Sequence, residues 1–158
     1  MAEILHQDGE IEFWPVEKMG YSYRTSFFKR KGLGMLCNPV AIILSAVLRL
    51  QPSTSDVVQS RIDELVAMRR CTQPPGASMG SMFKNPPGDY AGRLIEASGL
   101  KGTQIGEAQI SSLHGNFFIN LGKASAQDIY ALMKLASKAV HEKFGIILEP
   151  EIELVGEW

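Results

Sequence analysis

The sequence predicts an α+β fold: a two-layer lobe in which helices pack on one face of a mixed sheet, preceded by a small β fragment. Three observations lead to this class. From residue 39 onward, β-branched or alternating segments and helically periodic segments follow each other in the order β-α-β-α-β-β-α-β. Apolar residues make up 45% of 158 residues, which is enough for a sizeable core. Glycine and proline clusters separate the segments.

The first 38 residues are predicted to be a separate β fragment. The segments 2–7 and 10–14 flank Asp8-Gly9. That dipeptide is a strong hairpin signal, because both central positions of a type I′ turn need positive φ. The segment 20–30 mixes aromatic with basic residues and indicates a turn and a short strand.

Residues 39–158 are predicted to form the main domain, beginning with a strand and a helix. The aliphatic run 39–50 is expected to be a buried strand that ends before Pro52. Ser53 and Asp56 form a capping-box pattern that predicts the start of a helix. One apolar stripe then follows the helix, consisting of Val58, Ile62, Leu65 and Val66.

The middle of this domain is predicted to be a strand, a short helix and two further strands. The run 80–88 is expected to be a strand that enters a turn. Asp89 is the predicted N-cap of the short helix, and Gly99 its C′ residue. Strands are expected at 108–111 and 116–121, on either side of a loop.

A helix and a strand are predicted to complete the chain. A second capping box, Ser125 with Asp128, begins the helix, which stops at Gly145. Its inward-facing residues are Ile129, Leu132, Met133, Ala136, Val140 and Phe144. The alternation from Glu149 onward predicts a terminal strand.

Composition and charge argue against several classes of protein. A net charge of −1 and a pI near 6.3 do not favour a general nucleic-acid binder. The longest apolar run is far too short to span a bilayer, and the N-terminus lacks a signal-peptide pattern. Cys37 and Cys71 have no histidine at metal-ligand spacing, so no metal site is predicted. We expect a soluble, cytoplasmic monomer.

Three side chains stand out by their local context. Arg24 lies among tyrosines and offers a planar fork that suits a carboxylate. Ser81 lies in a loop rich in Gly and Pro, where the backbone can approach a ligand. Glu151 is predicted to share one strand face with Glu149 and Glu153. From the residues alone, the simpler interpretations are a stacked surface arginine, a turn-forming serine and a solvated acidic face.

Several motifs, taken in order, resemble those of one enzyme family. Y-R-T-S-F-F-K at 23–29 resembles the Y-R-x-S-x-F-K motif of the UDP-N-acetylenolpyruvoylglucosamine reductases, and G-S-M-F-K-N-P at 80–86 resembles their G-S-x-F-K-N-P loop. The stretches 91–102, 108–120 and 144–156 follow as they do in the family. The resemblance runs from about residue 6 to the end of the chain.

The resemblance implies an oxidoreductase of peptidoglycan precursor synthesis. The family reduces UDP-N-acetylglucosamine enolpyruvate to UDP-N-acetylmuramate, and hydride passes from NADPH to FAD and then to the alkene. Ser81 is implied as the general acid that protonates the resulting carbanion. Arg24 and Glu151 are implied to flank the developing enolate, and Glu149 is the competing carboxylate.

Three further residues are candidates for substrate contacts. By resemblance, Asn85 and His114 match positions near the substrate, and Asn85 is the candidate for the UDP or sugar. Lys84 is the candidate for a phosphate contact, with a solvated lysine as the equal alternative.

The chain departs from the family pattern where the flavin is held. The family's flavin domain, with its Gly-rich loop, lies mostly before the Y-R-x-S motif, and only about twenty residues precede that motif here. Residues 1–38 are therefore interpreted as a remnant of the flavin-binding domain and 39–158 as the substrate-binding domain. The cofactor-binding residues remain unknown, and a missing flavin-binding half is an expected partner. The alternatives are a non-catalytic UDP-sugar binding module and an inactive fragment. The long tyrosine-bearing insertion of one subclass is absent between residues 30 and 80, so the chain resembles the shorter subclass.

Overall fold

The computed structural model describes residues 1–29 and 41–156, and the chain divides into two compact units, Met1–Ser53 and Thr54–Trp158. Helices and antiparallel sheets together confirm the α+β class. The sequence placed the boundary after residue 38, whereas the units divide after Ser53. The difference arises because a strand at 41–46 pairs with the N-terminal strand of the first unit.

The first unit contains a three-stranded antiparallel sheet of β1 (Ala2–His6), β2 (Ile11–Trp14) and β3 (Ala41–Ala46), in the order β2-β1-β3. The predicted hairpin is confirmed, but its turn is not type I′. Among Asp8 and Gly9, only Gly9 has positive φ, at 88°, and its amide donates to the carbonyl of His6 over 3.1 Å. This is a three-residue loop with glycine at its left-handed position.

β3 was expected to be a buried strand, and that prediction is wrong. Ala41 is buried, but Ile42, Ile43 and Leu44 expose 51%, 46% and 47% of their surface. A run of aliphatic residues indicates a strand that is suited to burial. The strand is buried only where another layer of the fold covers it. Among the described residues of the first unit, the buried ones are Ala2, Ile4, Trp14, Met19 and Ala41, against which Phe27 and Phe28 pack.

The second unit begins with helix α1 (Ser55–Thr72). Its N-cap is Thr54, with no side-chain cap hydrogen bond, so the capping box predicted at Ser53 and Asp56 is wrong. The helix starts one residue too late for Asp56 to occupy the third helical position. All residues of α1 are exposed, including the predicted apolar stripe. No helix in the described ranges is both long and apolar enough to cross a membrane.

The rest of the second unit is a four-stranded sheet with two helices packed on it. The strands are β4 (Ala77–Ser81), β5 (Gln104–Ile105), β6 (Ala108–Ile110) and β7 (Phe117–Asn120), in the order β4-β7-β6-β5. Every pairing described in it is antiparallel, where the sequence predicted a mixed sheet. The helices are α2 (Ala91–Ala97) and α3 (Ala126–Phe144).

The core of the second unit lies between this sheet and its helices. Its buried apolar residues include Met82, Phe83, Leu94, Ile95, Ile110, Phe118, Leu132 and Val140. The capping box of Ser125 and Asp128 is confirmed, and α3 ends at Gly145 with φ 70° as predicted. Gly99 follows α2 in the left-handed conformation, also as predicted.

Candidate substrate site

Ser81 lies at the end of β4, where the strand ladder is irregular. Its backbone pairs with Phe117 of β7, and the register shifts between Ser78 and Ser81. Such shifts redirect side chains at the end of a strand. Ser81 is partly exposed at this end of the sheet.

A buried amide fixes the backbone immediately after Ser81. Asn116 is 3% exposed, and its Oδ1 accepts from the amide of Phe83 at 2.9 Å, while its Nδ2 donates to the carbonyl of Phe83 at 2.8 Å. The carbonyl of Asn116 also accepts from the amide of Met82 at 2.9 Å. The sequence reasoning missed this residue. The available signal was a polar side chain next to an apolar strand, where burial demands hydrogen-bond partners.

The C-terminal segment reaches the same backbone through a single bridge at Phe83 and Pro150. The amide of Lys84 donates to the carbonyl of Glu149 at 2.8 Å, and the amide of Glu151 donates to the carbonyl of Met82 at 2.9 Å. Pro150 lies between Glu149 and Glu151, and it fits there because this position of the bridge uses no N–H. The bridge therefore ties the backbone of Glu151 to the residue that follows Ser81.

The predicted terminal strand is wrong beyond this bridge. Glu149, Glu151 and Glu153 consequently do not share one strand face. The carboxylate of Glu149 pairs with the ammonium of Lys84. Glu153 lies apart from this pair and lines a mainly apolar cavity. The phosphate contact suggested for Lys84 stays a prediction, and in this structure its ammonium binds a carboxylate.

Ser81, Asn85 and His114 line one cleft of about 360 Å³. The structure thus brings His114 together with Ser81 and Asn85, which lie much earlier in the sequence. Lys84 and Glu151 are not among the lining residues, and Arg24 belongs to the first unit. The cleft is also lined by Tyr90, Gly92, Arg93, Glu96, Leu113, Gly115 and Asn116.

A larger cavity of about 410 Å³ lies elsewhere in the second unit. Its lining is mainly apolar and includes Phe118, Ile129, Tyr130, Met133, Ile152 and Leu154. None of the six predicted site residues lines it, so the larger cavity is not the one that contains the predicted site residues.

The loop that carries His114 is held by side-chain hydrogen bonds. Ser111 is 1% exposed, and its Oγ accepts from the amides of Leu113 at 3.0 Å and His114 at 3.2 Å. The Nδ1 atom of His114 accepts from the amide of Asn116 at 3.2 Å. In the neutral ring the proton is therefore on Nε2.

The His114 ring packs between β7 and α2. It meets the ring of Phe117 edge-on at 4.9 Å between centroids, and a Cβ atom at Gly92 would come within 2.9 Å of its Cε1 atom. Gly92 thus leaves room for the imidazole. Burial lowers the pKa of His114, because the charged form loses hydration there.

The N-cap of α2 is Tyr90, so the prediction of Asp89 at this position is wrong by one residue. The Oδ1 atom of Asn85, which lines the cleft, accepts from the amide of Ala91 at 3.1 Å, the first residue of the helix. Asp89 instead accepts from Nε of Arg93 at 2.6 Å. This partner, together with the amide of Tyr90, lowers the pKa of Asp89 to about 2.

Arg24 has an unusual backbone conformation. Ser22 and Thr25 exchange two backbone hydrogen bonds of 3.1 Å, so Tyr23 and Arg24 form a tight turn between them. Arg24 has φ 53°, the single positive φ recorded for a non-glycine residue in the described ranges. A residue other than glycine adopts this left-handed backbone conformation at a cost of about 1 kcal/mol, and residues strained in this way cluster at functional sites. The predicted short strand in this segment reduces to this bridge and a 3₁₀ turn at Phe27–Lys29.

The fold and the cleft agree with a match to a known domain. Residues 72–155, more than half of the chain, match the family model described as "UDP-N-acetylenolpyruvoylglucosamine reductase, C-terminal domain". The chain belongs to this reductase family. Ser81, Asn85, His114 and Glu151 all lie inside the matched residues of the reductase domain.

Individual reductases match nearly the whole chain. The enzyme named UDP-N-acetylenolpyruvoylglucosamine reductase in Chloroflexus aggregans is 44% identical over 154 residues, covering 98% of this chain and 51% of that protein. The one in Rubrobacter xylanophilus is 40% identical over 156 residues, covering 99% of this chain and 50% of that protein. The chain therefore spans about half the length of these relatives.

A solved reductase shares the architecture. The crystal structure of the enzyme from Thermus caldophilus superposes with a TM-score of 0.77 at 37% identity, over 96% of this chain and 51% of that one. The similarity extends through both units, because the covered part includes nearly all residues.

Proposed function

We propose that this chain supplies the substrate-binding domain and the proton donor of a UDP-N-acetylenolpyruvoylglucosamine reductase. The complete enzyme would reduce the enolpyruvyl ether to UDP-N-acetylmuramate with FAD and NADPH. The observation that carries the proposal is the single cleft lined by Ser81, Asn85 and His114 within the family's C-terminal domain.

The reaction divides into a hydride addition and a proton transfer. Hydride addition to the methylene carbon leaves an electron pair on the carbon beside the carboxylate, where it is delocalised as an enolate. A proton must then form the second C–H bond. We assign that proton to the Ser81 hydroxyl, which needs a polar environment and a relay because serine is a weak acid.

The hydride addition is not assigned to this chain. The described residues form no Gly-rich phosphate-binding loop of the kind that would fit FAD, and the glycines at 32 and 34 lie outside the described ranges. We therefore place flavin binding in the half of the reductase that the chain does not match.

The remaining roles concern the substrate. We propose that Arg24 and Glu151 stabilise the developing enolate. The strained turn of Arg24 and the hydrogen bond from Glu151 to Met82 support this assignment, since each fixes a backbone position. Asn85 and His114 are proposed to contact the UDP-sugar from the cleft, and Lys84 a phosphate.

Turnover by the chain co-expressed with the unmatched half of the Chloroflexus aggregans enzyme tests the proton donor. Ser81→Ala should lower kcat by about a hundredfold or more with little change in KM, because the serine acts only in proton transfer. Ser78→Ala is the matched control, since Ser78 lies on the same strand but lines the other cavity. Full activity of the Ser81 variant would exclude the assignment.

The two C-terminal carboxylates offer a second matched pair. Glu151→Gln should cost far more activity than Glu149→Gln, because Glu149 pairs with Lys84 at the surface. Equal losses would contradict the role of Glu151.

A non-catalytic UDP-sugar binding module is the second candidate, favoured by the match to only half of each reductase. Turnover of the enolpyruvyl substrate with FAD and NADPH, measured with the unmatched half of the reductase present, separates the two. Substrate binding without flavin binding or turnover, even with the other half present, would support the binding module.

A further inference from the structure

β3 has the sequence of an interior strand and the exposure of an outer one. It reads A-I-I-L-S-A, and its three large apolar residues are each about half exposed. Continuous aliphatic runs of this kind are typical of strands that are buried on both faces.

The exposed side chains lie on both faces of the sheet. Ile43 pairs with Ile4, and Ile42 pairs with Leu5, so the two isoleucines point to opposite sides. Ile4 is fully buried, yet Ile43 beside it is 46% exposed. Each face of β3 is therefore only partly covered in this structure.

The two outer strands of the sheet differ in their protection. β2 carries Glu12, which pairs with Lys18 and accepts from the indole of Trp14. β3 carries no charged residue. Charged side chains on an edge strand oppose pairing with another chain, and an uncharged apolar edge invites it.

We propose that β3 is the docking strand for the half of the reductase that this chain does not match. That half would add a strand along the edge of β3 that no described strand pairs with, and it would cover both apolar faces of β3. The partner follows from the proposed function and from length, since relatives of about twice the length contain such a half. A second copy of this chain fits less well. Pairing between two β3 edges would extend the sheet but leave the faces exposed.

The test is co-expression of this chain with the unmatched half of the Chloroflexus aggregans enzyme, carrying an affinity tag. We expect the two polypeptides to co-purify, and hydrogen exchange to slow at the amides of Ile42–Leu44 in the complex. Ile42→Lys should reduce the recovered complex by about tenfold or more, because it places a charge in a dry contact.

Ile11→Lys is the matched control. Ile11 lies on β2, pairs with the same Leu5, and is 52% exposed against 51% for Ile42. It should change recovery by no more than about twofold. Equal loss in both variants, no complex with the wild-type chain, or a homodimer with protected β3 amides would each overturn the proposal.

Turnover distinguishes this inference from the proposed function. A complex that depends on Ile42 but does not reduce the enolpyruvyl substrate with NADPH would contradict the function and leave the docking strand standing. Turnover that is unchanged by Ile42→Lys would contradict the docking strand alone.

Discussion

Helices α1 and α3 have nearly the same length and opposite surroundings. α1 has 18 residues and α3 has 19, and each carries apolar residues at helical spacing. α3 buries Leu132, Met133, Ala136 and Val140 against α2 and the sheet. All residues of α1 are exposed.

The contrast shows that the formation of a helix and its burial have different causes. Helical periodicity predicts which residues share a face, and that prediction holds for both helices. Whether the face is buried depends on a layer elsewhere in the chain, and the core of the second unit supplies one only for α3. The helices also differ at their starts, because Ser125 caps α3 while Thr54 makes no side-chain cap bond.

Paired leucine substitutions should show the largest difference between the helices. Leu132→Ala removes a side chain that is 0% exposed and should cost about 2–5 kcal/mol of unfolding free energy. Leu65→Ala on α1 should change it by no more than about 0.5 kcal/mol, since Leu65 is 38% exposed. Urea unfolding followed by far-UV circular dichroism measures both. A large cost at Leu65 would show that α1 is covered in solution.

The buried amide of Asn116 extends the comparison from apolar to polar contacts. Asn116→Ala should cost about 1–3 kcal/mol for each backbone group of Phe83 that it leaves unpaired. The amide of Phe83 should also exchange faster with solvent. Asn116→Asp keeps the acceptor but places a second carboxylate oxygen against the carbonyl of Phe83 in a site that is 3% exposed, so at neutral pH it should cost at least as much as Asn116→Ala. An Asp variant that is clearly more stable than the Ala variant would mean that the bond donated to this carbonyl contributes little.

The caps should give the smallest difference. Ser125→Ala removes a confirmed capping box and should cost about 1 kcal/mol, whereas Thr54→Ala should cost close to nothing. Thermal unfolding of the two variants under identical conditions checks this. Equal destabilisation would indicate that Thr54 caps α1 in solution.

The sequence predicted well where the cause is local. The hairpin around Gly9, the capping box at Ser125 and the left-handed ends at Gly99 and Gly145 each depend on a few neighbouring residues. It failed at the start of α2, where Tyr90 and not Asp89 is the N-cap. Arg93 binds the carboxylate of Asp89, and the amide of Ala91 donates to Asn85.

The candidate site shows the same division. The motifs identified Ser81, Asn85 and His114 from their order along the chain, but only the fold places them around one cleft. Asn116, which fixes the backbone after Ser81, escaped notice because its partners are 33 residues away. The terminal alternation suggested a strand, and the structure contains a single bridge around Pro150.

By itself, the sequence determined the α+β class, the positions of most helices and strands, and the family, because these depend on local periodicity and on ordered motifs. Only the tertiary structure decided which apolar faces are buried, which side chains share the cleft and which amide anchors the loop after Ser81. Burial and long-range hydrogen bonds depend on contacts between segments that are distant in the chain, and no local pattern specifies them.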